Sequence, residues 1–173
     1  DPGFLNIGTT LAIKKISENT KSQIILVVKD KSNPIYNLSH YQSIKLLEVG
    51  ETENVINTIV ESLSYVNTEY CLINPITTIP NETKLLAPFI EYGLNPIPRE
   101  NWSSIIMNKE VINFYKKNDF NTFGLISNPF TGRIYSKTEN LIEAIKHLKN
   151  NQKDDLNCLA EILYNMQKVE IKF

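Results

Sequence analysis

The chain has 173 residues, 42% of them hydrophobic and 21% charged, with a formal net charge of −1. That length fits one domain spanning residues 1–173 around a single substantial core, and the composition excludes a disordered chain. Basic and acidic side chains are interspersed, which excludes the clustered basic face that nucleic acid requires, and no apolar run approaches the roughly 18 residues of a membrane span.

Taken in chain order, Leu11, Ala12, Ile13 and Ile16 recur at helical spacing and predict a helix ending near Asn19. Ile24–Val28 follows as an unbroken β-branched and leucine run, the pattern of a strand buried on both faces. Asn33-Pro34 marks a turn. Residues 44–49 then read as a second strand closed by Gly50. Val55, Ile56, Ile59, Val60 and Leu63 form an apolar stripe and predict a helix. Tyr70–Ile73 is a short apolar run that stops at Asn74-Pro75, a third strand.

The middle of the chain is less regular. Residues 85–92 predict a helix, and Pro96 and Pro98 break the segment after it. Residues 102–107 and Val111–Tyr115 predict a hairpin turning at Asn108-Lys109. Residues 123–127 predict a further strand, and Arg133, Ile134 and Tyr135 another. Residues 141–148 and 156–166 predict amphipathic helices, and the alternation from Val169 to Phe173 a last strand. Strands alternating with helices imply an α/β fold, a mostly parallel central sheet with helices on both faces and a small antiparallel addition.

Few residues carry chemistry on their own pattern. His40 and His147 have no ligand neighbour at helical spacing and read as solvated. Cys71 and Cys158 lie in different apolar elements and read as core thiols of a reducing cytoplasm, there being no signal-peptide pattern. Asp154-Asp155 precedes a helix, where a carboxylate caps free N–H groups. Phe130-Thr131-Gly132-Arg133 combines a glycine, a hydroxyl and a guanidinium; it reads as an anion loop or as a turn between two strands.

In order and spacing these pieces resemble the sugar-1-phosphate nucleotidyltransferase family over nearly the whole chain. The segment from Pro2 to Leu11, Pro2-Gly3-Phe4-Leu5-Asn6-Ile7-Gly8-Thr9-Thr10-Leu11, is similar to the segment that follows the family's glycine-rich phosphate loop. Val49-Gly50-Glu51-Thr52-Glu53-Asn54 looks like the element opening the next helix, and the resemblance places Gly50 against a nucleotide base. Leu72-Ile73-Asn74-Pro75-Ile76 is similar to the segment carrying the family's magnesium-holding aspartate. Asn108 to Lys117 resembles the segment whose lysine contacts the sugar phosphate, which makes Lys117 its equivalent. Phe123-Gly124-Leu125-Ile126 resembles the strand after it.

The departures bear on chemistry. Nucleotidyl transfer needs a metal and cations to neutralise charge on the α-phosphate. Gly3 stands where the family has a lysine, Ile76 where it has the aspartate, and Lys116 where it has a glutamate. The glycine-rich loop would lie just before Asp1, and a second aspartate just after Phe173. The resemblance with these losses implies a nucleotidyltransferase-like domain with an impaired catalytic site. Such a domain would bind a nucleotide, a sugar phosphate or a protein partner in bacterial sugar-nucleotide or surface-polysaccharide metabolism. Gly50, Lys117 and Arg133 are the expected ligand-binding residues, with no metal. The alternatives are an active Mg²⁺-dependent nucleotidyltransferase or nucleotide-sugar glycosyltransferase drawing ligands from residues such as Asp30, Glu48 or Glu82, and a non-enzymatic assembly module.

Overall fold

In the computed structural model residues 24–29, 44–75, 78, 87–108, 111–149 and 155–173 are described. The strands are β1 (Ile24–Val28), β2 (Ile44–Glu48), β3 (Tyr70–Ile73), β4 (Phe89–Tyr92), β5 (Ile97–Pro98), β6 (Ser104–Asn108), β7 (Val111–Tyr115), β8 (Ile126–Lys137) and β9 (Glu170–Lys172). The α-helices are α1 (Val55–Leu63), α2 (Thr138–His147) and α3 (Leu156–Asn165), with a 3₁₀ turn at Phe120–Thr122.

The expected mostly parallel sheet is overturned by the strand pairing. Strand accounts for 38% of the described residues and helix for 27%, in a curled, mixed sheet. Its spine is the long strand β8, which pairs antiparallel with β3, β4, β5 and β6. The hairpin β6–β7 extends one side, and β9 lies parallel to β4 on the other. β1 and β2 form a separate parallel pair, in register from Ile24 opposite Ile44 to Val28 opposite Glu48. The physical reason is plain at β3: an apolar run says that both faces are covered but leaves strand direction open, and Tyr70–Ile73 runs antiparallel to β8.

Two local expectations also change. The stretch predicted as helix at 85–92 contains β4, whose consecutive residues Phe89 and Ile90 are 6% and 0% exposed. A strand buried on both faces loses the alternation that would distinguish it from a helix. The predicted turn or anion loop at Phe130-Thr131-Gly132-Arg133 is a bulge inside β8. There β8 advances from Phe130 to Ile134 while β4 covers only Tyr92 to Ile90. Gly132 takes up the distortion at φ +81°, with Pro75 packed so closely that a Cβ would meet its Cγ at 2.4 Å. The Thr131 hydroxyl pins the bulge by donating to the Glu91 carbonyl at 2.9 Å.

The three described α-helices share one core. Ile56, Ile59 and Leu63 of α1, Leu141 and Ala144 of α2, and Leu159 and Leu163 of α3 cluster with Ile90, Tyr92, Ile105 and Ile134 of the sheet. Full burial of each such leucine or isoleucine contributes about 1.5–3 kcal/mol. Only part of the predicted α1 stripe is used: Val55 and Val60 remain 41% and 46% exposed. Arg99 is also fully buried. Its guanidinium donates to Ser104 Oγ, Thr122 Oγ1 and the carbonyls of Asp119 and Lys116, fastening the loop after β7 to the sheet.

Candidate functional site

The parallel pair β1–β2 ends in a cleft of about 400 Å³ lined by Val27, Val28, Lys29, Val49, Gly50, Glu51, Thr52 and Thr58. It forms because two strands stop together and the chain turns into α1. The Val49 N–H donates to the Val28 carbonyl at 3.0 Å, which holds the two strand ends side by side. Gly50 then turns the backbone at φ +66°, with nothing within 4 Å of the position a Cβ would occupy. A left-handed conformation of this kind favours glycine. Asn54 caps α1, its Oδ1 accepting from the Asn57 N–H at 2.9 Å. The carboxyl ends of parallel strands, beside a helix N-terminus, are where α/β folds place anionic ligands.

The chemistry of the cleft is mixed. Among the described residues its charged lining is Lys29 and Glu51, and the Lys29 ammonium is bonded to the Glu51 carboxylate. Both side chains are well exposed, at 68% and 82%. The Thr52 and Thr58 hydroxyls lie 2.5 Å apart, and Thr58 also donates to the Asn54 carbonyl at 3.3 Å. The arrangement offers an ammonium, two hydroxyls and a bare backbone turn, with Val27, Val28 and Val49 also lining the cleft.

Of the three residues expected to bind ligand, Gly50 alone lines this cleft. Lys117 is exposed just beyond β7; its backbone N–H donates to Asp155 Oδ2 at 3.0 Å and to Ser103 Oγ at 3.2 Å. Arg133 is only 2% exposed. Its Nη1 meets Glu91 Oε1 at 2.6 Å, and its guanidinium carbon sits 5.6 Å from the centre of the Phe89 ring. Gly3, Asp30, His40, Ile76, Glu82 and Asp154, along with the whole segment Pro2–Leu11, lie outside the described residues, whereas Leu72 to Pro75 of the segment matched before Ile76 form the end of β3 and the two residues after it. Glu48 is an exposed residue at the end of β2.

Asp155 caps α3 as expected, accepting from the Asn157 N–H at 2.8 Å. Cys71 and Cys158 form no disulfide; Cys158 is buried in α3, and burial pushes the Cys71 thiol up to about 11. His147 is exposed in the last turn of α2. Among the described residues no three His, Cys, Asp or Glu side chains converge as a metal site would require, and no helix is long and apolar enough to cross a membrane.

Sequence reasoning passed over Lys29, Glu51, Thr52 and Thr58. Their signal is positional: Lys29 is the first polar residue after the apolar run of β1, and Glu51 and Thr52 fall between Gly50 and the α1 cap. Compared with known proteins, the chain matches no family model and no curated protein.

Proposed function

We propose that the cleft at the ends of β1 and β2 binds a phosphorylated small molecule, a nucleotide or a sugar phosphate. On this reading the chain is a nucleotidyltransferase-like protein with an impaired catalytic site, acting in bacterial sugar-nucleotide or surface-polysaccharide metabolism. The observation that carries the proposal is the coincidence of the bare Gly50 turn, the Lys29 ammonium and the start of α1 around one cleft. The ligand class is supported by the sequence resemblance at Val49 to Asn54, and impairment by Gly3 and Ile76 at positions where the family carries a lysine and an aspartate. The reading does not depend on the parallel central sheet, which the pairing of β8 overturns.

Calorimetric titration with ATP, UTP and UDP-glucose, each with and without magnesium or manganese, tests it. Metal-independent binding, abolished when Thr58→Trp fills the cleft, is expected. Absence of binding for every ligand would sink the proposal, and metal-dependent turnover would sink the impaired site. A second reading, an assembly module, draws on one corner of the molecule. Ile97 of β5, Ile126 of β8 and the Phe120–Phe123 ring pair present exposed apolar surface there. That reading predicts no small-molecule binding and a stable oligomer in light scattering.

A further inference from the structure

Among the described residues, the two charged ones that line the cleft are engaged with each other. Lys29 follows the last residue of β1, Glu51 stands three residues past the end of β2, and the two join in an ion pair across the ends of the parallel strands. The rest of the described lining is neutral, and the Thr52 and Thr58 hydroxyls are paired with one another. A ligand phosphate entering this cleft meets an ammonium that already holds a carboxylate.

Resting on the reading of the cleft as a phosphate-ligand site, we propose that Glu51 is a built-in competitor for Lys29, so that a ligand binds by displacing the Glu51 carboxylate from the ammonium. Two anions held against one exposed ammonium repel each other, and a phosphate offers more charge and more acceptor oxygens than a carboxylate. The exchange is easy, because an ion pair this exposed is worth a factor of only about two to five in an equilibrium. Both partners are solvated, so the released carboxylate returns to water without a desolvation penalty. The cleft therefore selects by negative charge. A neutral nucleoside or free sugar has nothing with which to displace Glu51, whereas pyrophosphate and nucleoside phosphates do.

The test is calorimetry with pyrophosphate, ATP and adenosine on the wild-type chain, Glu51→Gln, Lys29→Met and the double variant. Both side chains are exposed, so the variants fold, which far-ultraviolet circular dichroism checks. Glu51→Gln should tighten pyrophosphate and ATP about three-fold, and Lys29→Met should weaken both. In the Lys29→Met background the Glu51 substitution should have no further effect. Adenosine binding should be indifferent to all three changes. ATP binding to the wild type that Glu51→Gln leaves equal or weaker overturns the competitor while the phosphate site stands. If neither the wild type nor Glu51→Gln binds pyrophosphate or ATP, both fall together.

Discussion

Arg133 and Glu91 face each other across β8 and β4, and their surroundings make them interdependent. The arginine side chain is 3% exposed and the glutamate 17%, and the Arg133 Nε has no hydrogen-bond partner. A guanidinium so deeply placed is tolerable because Glu91 balances its charge and the Phe89 ring lies beneath it. Removing the carboxylate strands the cation, and that loss exceeds what the pair itself contributes. Glu91→Ala should therefore destabilise the fold by about 3 kcal/mol, the lower part of the range for a broken buried pair, given the residual exposure of Glu91. Replacing both partners, as Glu91→Leu with Arg133→Met, should cost clearly less than the sum of the two single changes. Urea unfolding of the three variants measures this. Additive losses would show that the two residues act separately, and would free Arg133 for another role.

At the scale of elements, the N-terminus of α3 is tied down more firmly than that of α1. Asn54 makes one cap bond, to the Asn57 N–H. Asp155 makes the equivalent bond to Asn157 and also accepts from Ser103 Oγ at 2.9 Å and from the Lys117 N–H. It thus joins α3 to the loop before β6 and to the end of β7. Asn54→Ala should cost about 1 kcal/mol, lowering the melting temperature by about 3 °C, and Asp155→Ala roughly twice as much. Equal shifts in thermal melts would mean that the extra bonds of Asp155 contribute nothing. The Asp155 cap was legible in the sequence, because an acid before an amphipathic run has few other uses. So were α1, the β6–β7 hairpin and the strand before Gly50, each marked by its own period or turn. β4 was not, since Phe89 and Ile90 are buried on opposite faces and leave no alternation to read. Nor was the length of β8: Asn128-Pro129 and Thr131-Gly132 look like punctuation, yet one long strand runs through both, pairing Asn128 and Pro129 with Ile105 and Ser104 and taking up Thr131-Gly132 in its bulge. Of the residues lining the candidate cleft, only Gly50 was singled out by the sequence. What brings Lys29 beside Glu51 is the pairing of β1 with β2, whereas Arg133 was drawn off by Glu91, a partner that no local pattern announces.

For the molecule as a whole, the groups among the described residues whose titration the fold disturbs most lie on the alkaline side. Burial pushes the Cys71 thiol from 9.0 up to about 11. The Tyr92 hydroxyl, donating to Asn157 Oδ1 at 2.6 Å, is raised by burial first and then by the Asp155 and Glu161 carboxylates. Tyr135 is raised by burial and by its neighbours Tyr70 and Glu69, and the Lys137 ammonium by its bond to Glu69. In every case the folded value lies above the unfolded one, so the native state holds its proton longer. Such a group contributes stability that is complete below its unfolded value and is lost as the pH climbs through the folded one. Stability should thus begin to fall above pH 9, where the unfolded Cys71 thiol ionises, and fall more steeply above pH 10 as the tyrosines join it. Each buried group protonated only in the native state lowers stability by about 1.4 kcal/mol per pH unit. Urea midpoints measured at half-unit steps from pH 7 to 11 should bend downward near pH 9, and Cys71→Ala should move that bend toward pH 10. A Cys71→Ala profile parallel to the wild type throughout would mean that the thiol reaches water in the native state, and that the β3–β8 face of the sheet is looser than its packing indicates.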